Sequence, residues 1–478
     1  MVSSDYSKET RCDMKQKNGF SGQIGFVFAA AGSAVGVGNL WRFPYLAAKD
    51  GGGLFLVIYL ILVLTFGFTL LTTDIAIGRK TGKSAIYAYE SMRKKWKFLG
   101  VITFLVPVLI MTYYAVIGGW ILKYISIYLL GSGEEAVSDN CFTSFISSPS
   151  SVAFGLIFML LTALIVYNGV EKGIERVSKF IMPVLLIMVI GIAIFSLTLK
   201  NTLEDGTVRT GLQGLKVYLT PDFSGLTLQR FLQVMLDAMS QLFFSLSVSM
   251  GIMITYGSYV KKDVDLNKSV AQIELMDTAV AFLAGVMIIP AVFVFSGLEG
   301  MSAGPGLMFV SLPKVFYRMG FAGRMVGILF FVLAGFAALT SCISVLESIV
   351  ANCMELLHTE RKKTTKVLSV IYLAATAVIA LGYSIFYVEA PLPNGSTGQL
   401  LDIMDYISNS FLMPFISLLS SILIGWIIKP DWIAEEMELN ETKFKRKRLY
   451  NVMIRYIMPV IMLVLFLQST GLLNLIIK

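Results

Sequence analysis

Charged residues are scarce in this chain of 478 residues, since they make up 15% of the sequence while hydrophobic residues make up 56%. Soluble globular proteins usually carry about 25% charged residues, so this composition excludes an ordinary water-soluble domain. The four cysteines and the one histidine show neither a disulfide framework nor metal-site spacing. There is no phosphate-binding loop of the Walker type and no soluble stretch large enough for a nucleotide, so an ATP-driven pump is not expected.

Long apolar stretches run through the whole sequence. A helix that crosses a bilayer needs about 17–25 mostly apolar residues. Eleven such stretches are predicted, at residues 21–46, 53–77, 98–130, 151–168, 175–199, 231–258, 270–297, 323–356, 366–388, 401–428 and 450–473. Only helices and closed barrels satisfy their backbone groups in lipid, and these stretches lack the alternation of barrel strands. The sequence therefore predicts an all-α protein with eleven transmembrane helices.

The net charge of +8 is distributed by loop. Lysine and arginine cluster at 79–97, 361–363 and 443–448, while the loops at 131–150 and 389–400 contain few. By the positive-inside rule this pattern places the N-terminal tail, residues 1–20, in the cytoplasm. The predicted location of the protein is the plasma membrane. Eleven spans then place the C-terminus outside. The basic residues report topology, so the expected partner is a lipid bilayer and a nucleic acid is not expected.

Two of the stretches break the rules for a lipid-buried helix. The first contains three glycines in the run Gly32–Gly38, and each interior glycine costs about 1 kcal/mol of helix propensity relative to alanine. Close helix packing explains such glycines equally well. The sixth stretch, however, contains the run Gln241–Gly251, which is polar at every second position near Ser245–Ser249 and ends on a glycine. Interruptions five spans apart lie in oppositely oriented helices, which is typical of transporters built from inverted repeats.

The residues around the first interruption resemble a known signature. The sequence GSAVGVGNLWRFP at 32–44, followed by Gly51–Gly53, resembles the first span of the neurotransmitter:sodium symporter family, also called solute carrier 6-like. Further matching motifs are Tyr113-Tyr114, Gly173–Arg176, Ile254–Tyr259, Leu339–Ser341 and Met404-Asp405. The resemblance covers essentially the whole chain. Family members often have twelve spans, and this chain has eleven, as many bacterial members do.

This resemblance implies the leucine-transporter fold in a single transmembrane domain, residues 1–478. In that fold a 5+5 inverted repeat, here 21–199 and 231–428, is followed by one extra helix at 450–473. Helices 1 and 6 are unwound at the midplane. The implied function is sodium-coupled symport of a neutral L-α-amino acid into the cell by alternating access.

Two sodium sites follow from the resemblance. The first maps to the carbonyl of Ala34 with Asn39, Ser245, Asp277 and the substrate carboxylate. The second maps to the carbonyls of Gly32, Val35 and Ala337 with the hydroxyls of Thr340 and Ser341. Hydroxyls in membrane helices also bond back to their own helix carbonyls, which is the alternative for Thr340 and Ser341.

Asp277 is the clearest departure from the family pattern. Chloride-dependent relatives carry asparagine there and a serine about one turn later, whereas this chain has Asp277 and Ala281. A fixed carboxylate can supply the negative charge that chloride supplies elsewhere, so no chloride requirement is expected. The alternatives are a protonated Asp277 bonded to a neighbouring helix, or an alignment shifted by one residue.

The implied substrate pocket is formed by Ala34, Gly36, Val37, Gly38, Ile110, Tyr114, Phe244, Ser245, Ser247, Met250, Ser341 and Val345. Gly36 leaves open the space that monoamine carriers fill with an acidic side chain, so an α-amino acid is expected. The apolar wall indicates a neutral side chain and does not identify it. The implied gates are Arg42 with Asp405 outside, Tyr114 with Phe244 as an aromatic lid, and Lys17 with Glu355 on the cytoplasmic side.

Other functions remain as alternatives. A sodium-independent or proton-coupled amino-acid carrier on the same fold is the nearest. A channel or receptor is disfavoured because the sequence shows neither repeated polar pore faces nor a large sensing domain. An enzyme is not expected, since no nucleophile–base or metal constellation lies within the spans.

Overall fold

A computed structural model of the chain describes residues 19–393 and 397–472. Its α-helices are α1 Gln23–Ala34, α2 Val37–Lys49, α3 Gly53–Leu62, α4 Phe68–Thr81, α5 Ala85–Met92, α6 Lys97–Leu130, α7 Asp139–Ile146, α8 Pro149–Tyr167, α9 Arg176–Thr198, α10 Gly211–Leu219, α11 Leu228–Leu246, α12 Ile252–Ser258, α13 Leu266–Ser296, α14 Leu312–Arg318, α15 Phe321–Leu357, α16 Arg361–Leu381, α17 Leu400–Asp405, α18 Met413–Ile422, α19 Asp431–Met437, α20 Lys447–Val452 and α21 Met458–Ser469. Several helices continue through π-helical turns, at Val63–Gly67, Val170–Glu175, Leu307–Ser311, Tyr406–Leu412, Leu423–Ile428 and Met453–Ile457. Two short antiparallel hairpins, β1 Lys200–Thr202 with β2 Val208–Thr210 and β3 Ala390–Pro391 with β4 Thr397–Gly398, lie in loops predicted to be outside.

The prediction of a many-spanning helical protein is confirmed. In the described part of the chain, nine helical stretches are long and apolar enough to cross a membrane, and the bent pair α1–α2 makes up to ten. Each of the eleven predicted stretches falls on a helix or helix pair, the sixth on α11 and α12. The ninth predicted stretch runs past the helix, which ends at Leu381 before Gly382, a weak helix former. The count of eleven spans stays a prediction. Residues 1–18 of the predicted N-terminal tail and residue 473, the last of the eleventh predicted stretch, lie outside the described residues.

Helix α1 ends at Ala34 and α2 begins at Val37, with a bend of 53° between them. Gly36 between them is extended, and its amide N–H donates to Asn39 Oδ1 at 3.1 Å. The backbone thus leaves the helix within the glycine-rich run.

The chain also leaves the helix between α11 and α12. There Ser247 and Ser249 have φ of 52° and 61°, and Gly251 has φ of 74°. Left-handed backbone is uncommon outside glycine. The Ser247 hydroxyl donates to the carbonyl of Ser33 at 2.9 Å, so the two interruptions are in direct contact.

Gly78 in α4 lies at a close approach between α4 and α12. A Cβ added to Gly78 would lie 1.9 Å from the carbonyl oxygen of Ile254 in α12. Since the obstacle is backbone, no side-chain rotation can relieve it. This contact sets how close the second half of the broken sixth span lies to its neighbour.

Gly78→Ala is expected to lower the free energy of unfolding by about 1–3 kcal/mol, the usual effect of overpacking an interior. The measurement is the midpoint of thermal unfolding in detergent. Gly191→Ala is the matched control, because Gly191 lies within α9 and a Cβ there would meet nothing within 4 Å. Equal midpoints for the two variants would contradict the close approach.

Candidate functional site

A buried polar cluster joins α2, α11 and α13. Asn39 Nδ2 donates to Asp277 Oδ1 at 2.9 Å and to Ser245 Oγ at 3.1 Å. Ser245 Oγ donates to the same carboxylate at 2.8 Å. All three residues are at most 1% exposed. The structure therefore brings together the three side chains predicted for the first sodium site. The carbonyl oxygen of Ala34 would lie 4.0 Å from a Cβ on Gly36, whose amide N–H donates to Asn39.

Asp277 receives its described hydrogen bonds from neutral donors alone, and no described lysine or arginine forms an ion pair with it. A carboxylate inside a membrane helix needs a counter-charge or a proton. Carbonyl, amide, hydroxyl and carboxylate oxygens are the ligands that hard cations prefer. The residues present therefore fit a monovalent cation, and they also fit a protonated carboxyl group.

The second predicted sodium site is only partly brought together by side-chain contacts. Gly32 packs on Thr340, because a Cβ there would lie 3.2 Å from Thr340 Cβ. The Thr340 hydroxyl, however, donates to the carbonyls of Phe336 and Ala337 in its own helix, at 3.0 and 3.1 Å. Ser341 instead donates across to the carbonyl of Ser33 at 3.2 Å. The Thr340 hydroxyl thus bonds to carbonyls of its own helix, which is the alternative raised from the sequence. The Ser341 hydroxyl instead bonds to α1, the first half of the first broken helix.

Two glycines of the first break lie against aromatic side chains. A Cβ on Gly36 would lie 3.1 Å from the Tyr114 hydroxyl, which accepts the Val37 amide hydrogen at 3.4 Å. A Cβ on Gly38 would lie 2.5 Å from the Phe244 ring. Three further apolar residues predicted for the pocket, Ile110, Met250 and Val345, are each 4% exposed. These three residues are therefore buried, whereas Phe244 is half-buried and lies against Gly38.

A cavity of about 660 Å³ lies on the side of this region that is predicted to face outward. Phe244 lines it, together with Arg42 and Asp405, the predicted outer gate. Arg42 Nη2 donates to Ser240 Oγ at 2.7 Å, and Asp405 accepts hydrogen bonds from other residues, so the two charged groups are not in ion-pair contact.

On the side predicted to be cytoplasmic, Glu355 accepts the amide hydrogen of Ser84 at 2.9 Å. Its predicted partner Lys17 lies outside the described residues. Nearby, Glu347 is fully buried and binds Arg361 at 2.6 Å and the Tyr259 hydroxyl at 2.6 Å. Sequence reasoning missed Glu347, although an ionisable residue within the eighth predicted stretch is a signal that could have identified it.

The sixth-span break has a second carboxylate partner. The amide N–H of Ser249 donates to Asp74 Oδ2 at 2.8 Å, and Asp74 is 2% exposed. The Ser249 hydroxyl pairs with that of Ser417 at 2.6 Å. Asp74 thus holds the backbone of the break.

The end of α2 meets α11 in a small charged cluster. Lys49 Nζ donates to Asp237 Oδ2 at 2.8 Å and lies 3.9 Å from Asp50. Asp50 is 5% exposed, and its Oδ2 has no hydrogen-bond partner among the described residues. Burial, and secondly the nearby Asp237 carboxylate, raise the pKa of Asp50 to about 6. Asp50 is therefore poised to exchange a proton near neutral pH.

The raised pKa of Asp50 predicts the direction in which the stability of the fold changes with pH. An acid whose pKa is higher in the folded protein than in the unfolded chain stabilises the fold below the unfolded value, and this contribution is lost as pH rises through about 6. The thermal midpoint of the parent minus that of Asp50→Asn should therefore fall between pH 5 and pH 8. A difference that stays constant or rises over this interval would contradict the shift.

Comparisons with known proteins agree with this architecture. The family model described as sodium:neurotransmitter symporter family matches residues 17–141 and 140–474. An uncharacterised sodium-dependent transporter of Bacillus subtilis is 36% identical, over 95% of this chain and 98% of its own. The human sodium- and chloride-dependent GABA transporter 2 is 24% identical, over 86% of this chain and 73% of its own. The crystal structure of MhsT in complex with L-phenylalanine superposes with a TM-score of 0.81, at 35% identity, over 94% of this chain and 99% of that one.

Proposed function

Since the chain belongs to the sodium:neurotransmitter symporter family, we propose that it carries a neutral L-α-amino acid into the cell, driven by the sodium gradient. The observation that carries this proposal is the buried cluster of Asn39, Ser245 and Asp277 beside the first break. This cluster puts a carboxylate and several neutral oxygens next to the break, where the helix hydrogen bonds of the backbone are interrupted. A sodium ion there balances Asp277 and attracts a substrate carboxylate.

The proposed architecture is the leucine-transporter fold with eleven spans and two inverted repeats, unwound at residues 35–36 and 247–251. The N-terminus faces the cytoplasm and the C-terminus faces the outside of the plasma membrane. Alternating access then consists of opening and closing the cavity beside Phe244 on one side of the breaks and a path past Glu355 on the other.

An amino acid is the proposed substrate because of the space at Gly36. The start of α2 attracts a carboxylate, because a helix N-terminus carries partial positive charge. The Tyr114 hydroxyl lies beside this position. Ile110, Met250 and Val345 present no charge to the substrate side chain. The L-phenylalanine bound to MhsT is consistent with this class of substrate.

A second candidate function is proton-coupled transport. The buried Asp277 carboxyl, bonded to Asn39 and Ser245 without a described cationic partner, favours it. In that case the proton on Asp277 replaces the first sodium ion. The two functions differ in which gradient drives uptake.

The test is uptake by proteoliposomes, screened over the neutral amino acids with an inward sodium gradient, a potassium gradient or a proton gradient. Uptake is expected with the sodium gradient and not with the potassium or the proton gradient. Asn39→Ala should raise the sodium concentration for half-maximal uptake by about tenfold or more, because it removes a buried ligand. The control Asn168→Ala lies at the exposed end of α8 and should behave as the parent. Equal uptake without sodium would rule out symport with sodium.

Chloride independence is tested by replacing chloride with gluconate. Uptake by the parent should be unchanged, because Asp277 supplies the negative charge. Asp277→Asn should lose sodium-driven uptake in gluconate and regain part of it in chloride. Abolished uptake of the parent in gluconate would show that the carboxylate does not replace chloride.

A further inference from the structure

Each member of the proposed outer gate is held by neutral partners in this structure. Arg42 Nη2 donates to Ser240 Oγ on α11 at 2.7 Å. Asp405 Oδ1 accepts from the Tyr113 hydroxyl at 2.8 Å and from Asn409 Nδ2 at 2.6 Å. Asn409 Nδ2 also donates to the Tyr113 hydroxyl at 3.1 Å, which ties the two donors together. The two charges face the same cavity from opposite sides without meeting.

The cavity offers Arg42 three carboxylates, and two are engaged elsewhere. Asp237 accepts from Lys49 at 2.8 Å and from Gln233 at 3.1 Å. Asp402 caps α17 by accepting the amide hydrogen of Gln399 at 2.9 Å. Asp402 is also exposed, whereas Asp405 is half-buried and its side-chain donors are all neutral in the described part of the chain. Asp405 is therefore the carboxylate that can exchange its partners for a guanidinium.

We propose that Ser240 is the open-state partner of Arg42, and that Tyr113 and Asn409 are the open-state partners of Asp405. Closing the outer gate then exchanges three neutral-partner hydrogen bonds for one ion pair. Ser240 and Asn409 are positioning residues, because they act through the two gate charges. The inference rests on the proposed transport function, since a gate matters only if the cavity alternates between open and closed.

The exchange is close to balanced on physical grounds. An ion pair gains Coulomb energy but loses the hydration and hydrogen bonds of both groups, so its net value is small. A hydrogen bond to a charged group is stronger than one between neutral groups. Removing one open-state bond should therefore shift the equilibrium between open and closed gates by about tenfold.

The probe is a cysteine at position 410, introduced as Ser410→Cys on a Cys141→Ser background. Ser410 lines the cavity and lies five residues beyond Asp405 along the same helical stretch, so it is about 7 Å deeper than the gate. Cells that express the protein are treated with a membrane-impermeant thiol reagent, and the labelling rate is measured per folded molecule. This measurement needs no substrate.

Adding Ser240→Ala should slow labelling about tenfold, because Arg42 loses its open-state partner and pairs with Asp405. Ser240→Thr keeps the hydroxyl and should restore the parent rate. The matched control is Ser469→Ala, another serine of the cavity, whose hydroxyl bonds to Phe466 in its own helix at 3.0 Å. In an Asp405→Asn background, Ser240→Ala should have no effect, since the ion pair can no longer form.

An unchanged labelling rate in Ser240→Ala would overturn the proposal, and so would an effect that persists in the Asp405→Asn background. Sodium-driven uptake is measured separately on the same variants. Uptake that does not depend on sodium would reject the proposed function while the labelling data still decide the gate. Normal sodium-driven uptake with unchanged labelling would reject the role of Ser240 as the open-state partner and would leave the proposed function standing.

Discussion

The side chain of Asn39 makes the hydrogen bonds on which the arrangement of the two breaks depends. Its oxygen accepts the amide hydrogen of Gly36, and its amide nitrogen donates to Ser245 and Asp277. One buried side chain therefore caps the start of α2 and joins it to α11 and α13. Without such a partner, the backbone freed at Gly36 would be a buried polar group with no hydrogen bond, which costs free energy.

The same contacts explain why polar residues occupy so apolar an interior. The carbonyl of Ser33 accepts hydroxyl hydrogens from Ser247 and Ser341, which lie on α11's end and on α15. Together they replace the helix hydrogen bond from the Val37 amide, which donates to the Tyr114 hydroxyl instead. The interior is therefore held in place by groups that also have the chemistry to bind a cation and a carboxylate.

The two sides of the breaks differ in their contacts. On the side predicted to be cytoplasmic, Phe20 is 1% exposed and its ring meets Tyr256 edge-on at 5.5 Å, while its amide donates to the carbonyl of Tyr259 at 3.2 Å. Ser21 donates from its amide to Glu175 at 2.8 Å. On the side predicted to be outer, Arg42 and Asp405 line a cavity without an ion pair between them. Aromatic packing therefore dominates the contacts on one side, whereas hydrogen bonds to neutral partners hold the two charged groups on the other.

The sequence by itself determined the class of protein and the positions of its long apolar helical stretches, because apolar length and glycine interruptions are local properties. The family motifs also identified Asn39, Ser245 and Asp277, which the structure brings together. Tertiary structure alone decided the partners: that Thr340 bonds to its own helix while Ser341 reaches Ser33. It also decided that Arg42 contacts Ser240, 198 residues away. Contacts between distant helices depend on how the helices pack, and the pattern of one chain does not encode that packing in any local window.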